Sequence, residues 1–315
     1  MVGQKKVYLL ALLYAFIIGF SFLFTKVALE FADPIDTLAY RFTLSFVALG
    51  IPVLAGWIKL DMKGRNWLRL LPLGLVYPTA FFGFQAFGLT HATSSIGGII
   101  SASSPVFTLI LATLILKERT NWIQKLSVLC SVGGVIYIIV MGGASAQGTS
   151  ALGIFLLLLS ALLLSLYGVV ARYLSDGFTA IQMTYVMMLF GCVSFNAISI
   201  TKHILAGTMH NLIEPLSHPQ FIFSILYIGL LSSLVSSLLS NYILSKIEAT
   251  SMSMFANLGN LISILAGVIF MNEQLGYYHI IGAGLIIAGV FGVNYRKRRV
   301  TAVKMEVKAG WKSGD

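Results

Sequence analysis

Apolar residues run along this chain in long stretches that show no two-residue alternation and carry almost no charge. They fall at about 8–29, 35–58, 67–90, 94–116, 123–141, 151–171, 181–201, 220–244, 250–271 and 277–294. A helix needs roughly 20 apolar residues to cross the hydrocarbon core of a bilayer, and each stretch comes close to that length. Strands of a β-barrel would alternate in polarity, so uniform apolarity argues against one. The pattern predicts an all-α integral membrane protein with ten transmembrane helices and short loops. Pro78, Gly97, Gly98 and Pro105 fall inside the runs, where spanning helices tolerate them. The first run has no small-residue cleavage site and reads as a transmembrane helix, not a removable leader.

Composition agrees. Of 315 residues, 57% are hydrophobic and 10% charged, against about 25% charged in soluble domains. The net charge of +10 raises nucleic acid as a partner, but its distribution removes that reading. With the N-terminus inside and the helices alternating, 18 lysines and arginines fall inside. Only Lys26 and Lys202 fall outside, and Arg41 lies within the second run. Positive charge gathers on the cytoplasmic side. This predicts that both termini lie in the cytoplasm; the compact loops and short tails suit a multi-pass protein of the cell (cytoplasmic) membrane of a bacterium, with a eukaryotic organelle as the alternative. The cluster Arg296–Arg299 then anchors the tail on acidic headgroups of the lipid bilayer, with no nucleic acid. Cys130 and Cys192 sit in apolar runs without metal-ligand spacing and read as buried free thiols. There is no GxxxxGK[ST], HExxH or GxSxG and no paired carboxylates beside a histidine. The sequence therefore gives no ground for a cofactor, a metal or a membrane-embedded enzyme.

The two halves of the chain echo one another. Ala92-Thr93-Ser94, Glu118 and Gly134-Val135 recur as Ala249-Thr250-Ser251, Glu273 and Gly289-Val290, with 16 residues from Glu to Gly in both copies. Five spans per half is an odd number, so the second half is inverted relative to the first. Inverted repeats are a device of secondary transporters: exchanging the conformations of the halves turns a cavity from one face to the other. With Pro34 before Tyr40-Arg41, Pro105 ahead of Glu118 and the stretch Gln124…Gly133-Gly134-Val135, the chain resembles the EamA-type family of the drug/metabolite transporter superfamily. In the second half Asn260 takes the place of the proline. The resemblance implies a first five-helix repeat over 1–145, a second, inverted one over 146–295, and a basic cytoplasmic tail over 296–315. It also implies a cavity lined mainly by helices 1, 3, 4, 6, 8 and 9, with helices 5 and 10 peripheral.

Helical spacing picks out polar stripes on these apolar cylinders. Gly97, Ser101, Ser104 and Thr108 share one face of the fourth helix, and Ser253, Asn257 and Asn260 share a face of the ninth. Tyr14, Ser21 and Thr25 align on the first, Ser160 and Tyr167 on the sixth, and Ser233, Ser237 and Asn241 on the eighth. Tyr77, Phe81 and Gln85 align on the third, with Phe81 as the packing member. Each stripe is either a solvated cavity wall or a close helix–helix contact. As the wall of a substrate site the candidates are Tyr14, Ser21, Tyr77, Gln85, Ser101, Ser104, Tyr167, Ser237, Asn241, Asn257 and Asn260. Gly282 and Gly289, with Ser127 and Gly134, form small-residue faces for a neighbour, within the chain or in a homodimer through helices 5 and 10. No acid falls in the middle of a run; Glu30, Asp33 and Asp36 cluster in the outer loop after the first. Arg41, two turns into the second span, either reaches toward Asp36 or pairs within the bundle, with a gating or substrate-anion role as the alternative. His91 and Glu248 occupy matched positions before the fourth and ninth helices, as loop caps or as a proton relay. The sequence thus predicts a secondary transporter of small amphipathic metabolites, amino acids or related compounds, working outward by alternating access. A passive channel or facilitator is the alternative, and a membrane-embedded enzyme a more distant one.

Overall fold

In the computed structural model, residues 2–61, 66–115, 122–142, 149–247, 249–272, 275–285 and 287–289 are described. Among them every regular element is helical. The helices are α1 (Lys5–Ala28), α2 (Pro34–Leu54), α3 (Trp67–Thr90), α4 (Ser94–Leu111), α5 (Trp122–Gly142), α6 (Ala151–Leu174), α7 (Ala180–Ala206), α8 (Pro219–Leu244), α9 (Ala249–Met271) and α10 (Tyr277–Gly289). Seven of them, α1–α4 and α6–α8, are long and apolar enough to cross a membrane. Leu54, Leu205 and Phe16 are among many large apolar side chains left exposed on the outside of the bundle, a mantle suited to lipid.

Short polar residues set the helix ends. Asp33 accepts from the backbone N–H groups of Ile35 and Asp36, with Pro34 opening α2. Thr93 and Ser150 cap α4 and α6 in the same way, and Thr179 with Gln182 forms a reciprocal capping box on α7. These side chains satisfy N–H groups that a helix start leaves without partners. Gly207, at φ +67°, ends α7. Asp36 is not in a loop, as its clustering with Glu30 and Asp33 suggests; it lies in the first turn of α2 and is buried. The cap at Asp33 extends the helix outward past it.

Two helices are locally rewound. α3 has π-type turns over Leu75–Ala80 and a non-helical Tyr77 (φ −140°, ψ 112°) ahead of Pro78, which has no N–H to give. α8 has a π-type stretch over Tyr227–Val235. α4 breaks between Ser101 and Ser104, just before Pro105.

The main packing partners are α2 with α7, α1 with α9, α4 with α9, α3 with α6, α4 with α6, α2 with α8, α3 with α7 and α1 with α8. Small residues let some of these backbones approach closely. A Cβ on Gly259 of α9 would come within 2.8 Å of the Ala15 carbonyl of α1, and one on Gly98 of α4 within 2.9 Å of the Asn260 carbonyl of α9. The Cys130 thiol of α5 donates to the Leu285 carbonyl of α10 at 3.5 Å, so these two helices meet within the chain.

Candidate functional site

The packing leaves two adjoining cavities at the centre of the bundle, each about 40 Å³, with Tyr14, Leu164 and Ala256 in both walls. Volumes of this size hold a few waters, so the side chains of the wall leave little free space between them. Their lining comes from α1, α3, α4, α6, α8 and α9, the six helices that the resemblance implies. The paired contacts of α2 with α7 lie outside this ring.

The first cavity includes Ser104 of α4 and Tyr167 of α6. Ser21, Tyr77, Gln85, Ser101 and Asn260 line the second. One side is aromatic: the Tyr77 ring stacks on Tyr167 at 4.3 Å and on Phe81 at 5.0 Å. Phe81, read as packing, is in the cavity wall together with Phe82. An aromatic inside an apolar run carries no mark of whether it faces lipid or cavity, so the sequence could not separate them.

Ser237 and Asn241 stand one layer behind the wall. Asn241 accepts from the Tyr167 phenol at 2.9 Å and donates to Thr184 at 2.9 Å, tying α6, α7 and α8 together. Ser237 is buried beside the Tyr77 phenol. Asn241 holds the Tyr167 phenol of the wall in place. Helical spacing assigns both residues a face, but that face meets other side chains before it meets the cavity. The Asn257 side chain and Glu248 fall outside the described residues. His91 is in an exposed turn after α3, away from the cavity, and its carbonyl, not its ring, accepts from Ser150 N–H at 2.8 Å.

Arg41 does not reach Asp36. It is fully buried in α2 and donates to Ser233 at 2.6 Å and to Ser232 at 3.1 Å, both on α8. Asp36 is engaged across the chain on α7, accepting from Ser199 at 2.5 Å and meeting His203 Nε2 at 2.9 Å. Lys202 pairs with Asp33 and Asp36 in the same cluster. Asp33, Asp36 and His203 bring their ligand atoms close together, but the Lys202 ammonium pairs with both carboxylates and opposes a further cation. Sequence reading did not find this network because 167 residues separate Asp36 from His203.

Cations also close two helix ends. Lys26 at the end of α1 donates to the Leu89 and Ala92 carbonyls at the end of α3, at 2.6 and 2.9 Å. Arg172 at the end of α6 donates to the Leu244 carbonyl ending α8 at 2.8 Å. A cation placed there meets orphan carbonyls and the negative end of the helix dipole.

These walls offer hydroxyls, amides and aromatic faces but no nucleophile–base pair, and they suit binding more than bond making. The pattern describing the EamA-like transporter family matches residues 5–140 and again 151–295. The chain belongs to the EamA-like transporter family. The uncharacterized transporter YcxC of Bacillus subtilis (strain 168) is 45% identical over 95% of this chain and 96% of its own length. The probable terminal-alkyne amino-acid exporter of Streptantibioticus cattleyicolor is 24% identical over 81% of this chain and 82% of its own. A crystal structure with a TM-score of 0.65, at 17% identity, covers 94% of this chain and 99% of that one, and supports the fold. This EamA-like protein is thus a transporter and not an enzyme, with seven helices long and apolar enough to cross a membrane among the described residues.

Proposed function

We propose that the protein is a secondary transporter that carries small amphipathic metabolites, amino acids or related compounds, out of the cell by alternating access. One observation carries the reading: the packing survives an exchange of the two halves. Replacing α1, α2, α3 and α4 by α6, α7, α8 and α9, and the reverse, turns α1–α9 into α6–α4. It turns α1–α8 into α6–α3 and α2–α8 into α7–α3, while α2–α7 and α4–α9 map onto themselves; all are observed contacts. Details follow the same exchange. Lys26 of α1 closes α3 as Arg172 of α6 closes α8. Asp36, three residues after the cap of α2, binds the end of α7, and Gln182, three residues after the cap of α7, binds the Asp61 carbonyl beyond α2. The double family match supports repeats over 1–145 and 146–295.

Ten spans in two inverted halves give such a cavity two equivalent exits. The strong bias of Lys and Arg supports cytoplasmic termini in the cell membrane. The relative named as an amino-acid exporter supports the direction and the class of solute.

Reconstituted protein should show saturable flux of a small solute. Asn257→Ala and Asn260→Ala should raise its KM several-fold or change its selectivity. Unchanged transport in both variants would falsify the site assignment, and flux that never saturates would favour a channel.

A further inference from the structure

Arg41 is a full positive charge inside the bundle, 0% exposed. Among the described residues no carboxylate pairs with it: the ion pairs join Lys202 and His203 to Asp33 and Asp36. Ionisable groups at membrane depth are costly and are kept at functional sites. Its guanidinium lies 4.0 Å from the centre of the Phe82 ring. Nε donates to Ser233 and Nη2 to Ser232, while Nη1 has no hydrogen-bond partner among the described residues.

The donors form a chain that leads to the second cavity. A guanidinium only donates, so Ser232 Oγ accepts from Arg41, and Ser232 in turn donates to Ser21 Oγ at 2.7 Å. Ser232, Ser21 and Phe82 all line that cavity. The positive charge is thus relayed through two hydroxyls to the wall, beside Gln85 and Tyr77. In a low-dielectric interior such charge-assisted donors are strong ligands for a negative oxygen.

We propose that this corner, where α1, α2, α3 and α8 meet, seats the carboxylate of the substrate, with Arg41 as its counter-charge and Ser21, whose hydroxyl accepts from Ser232, as its hydrogen-bond donor. One guanidinium balances one monoanion; a phosphate dianion would need a second cation, and among the described residues no lysine or arginine is in the cavity wall itself, Arg41 standing behind Ser232 and Phe82. The rest of the substrate lies against Tyr77 and Phe81. The inference rests on the carrier reading and gives it a substrate class: small monocarboxylates, amino acids included.

The test uses two matched pairs, hydrocinnamate with hydrocinnamide and L-phenylalanine with L-phenylalaninamide. Binding is read from the thermal stabilisation of purified full-length protein, and saturable flux from proteoliposomes loaded with a metabolite extract. The acids are expected to bind about tenfold more tightly than their amides. In Arg41→Gln, and in the milder Ser21→Ala, that preference should shrink to about twofold or less. Ser21→Ala carries the test if Arg41→Gln does not fold. The inference is overturned if the acids do not stabilise the protein, if the amides stabilise it equally, or if the folded variants keep the preference. Saturable flux without any preference for acids sinks this assignment and leaves the carrier reading intact. No saturable flux of any metabolite sinks the carrier reading itself.

Discussion

Asn241 shows how a residue can shape the cavity without touching its contents. It is fully buried and holds the Tyr167 phenol on one side and Thr184 on the other. Asn241→Ala removes the bond to Thr184 and leaves the Tyr167 phenol only its longer bond to Ser240 at 3.2 Å, a loss of about 1–3 kcal/mol in a buried site. Unfolding of the purified variant should show that loss together with a weakened substrate affinity, since the Tyr77–Tyr167 stack forms part of the wall. Wild-type stability in the variant would remove Asn241 from this role. Residues such as Tyr14, Ser21 and Ser101 were legible in the sequence because a polar side chain on an apolar cylinder stands out at helical spacing. Ser237 and Asn241 stood out just as clearly and yet lie behind the wall, because spacing fixes a face but not the neighbour it meets. Arg41 was visible as a charge in a span; its serine partners, some 190 residues away, were not.

At the level of elements, the apolar runs locate the helices to within a few residues: the run over 67–90 is the helix Trp67–Thr90. Runs do not reveal where a helix rewinds, because the π-type turns of α8 contain no proline to announce them. In α3, Pro78 marks the place. The two cationic closures are the element-scale devices. Lys26 holds the end of α1 to that of α3, and Arg172 holds the end of α6 to that of α8. In the inverted-repeat account these closures lie on opposite faces of the membrane. Lys26→Met and Arg172→Met should each lower stability by about 1.5–3 kcal/mol, the scale of a hydrogen bond to a charged group. They should also shift the carrier toward opposite openings. Proteolysis or hydrogen exchange in oriented vesicles can follow this: Lys26→Met loosens the outer ends of the helices and Arg172→Met the inner ends. Loosening on the same face in both variants contradicts the inversion.

For the whole molecule, the account requires that one central volume be reached from either side in turn. The proposed duplication has its sequence signal in the 16-residue spacing from Glu118 to Gly134 and from Glu273 to Gly289; the small volume of the cavities has none, since side-chain packing at the centre decides it. Ser104 of α4 is buried and lines the first cavity, and the two native cysteines, both free thiols, can be removed. The direct measurement is labelling of Ser104→Cys, in a Cys130→Ala and Cys192→Ala background, by a membrane-impermeant thiol reagent. Right-side-out and inside-out vesicles are labelled separately. The account predicts reaction from both faces, slowed by a bound substrate. Reaction from one face only, or from neither, contradicts it.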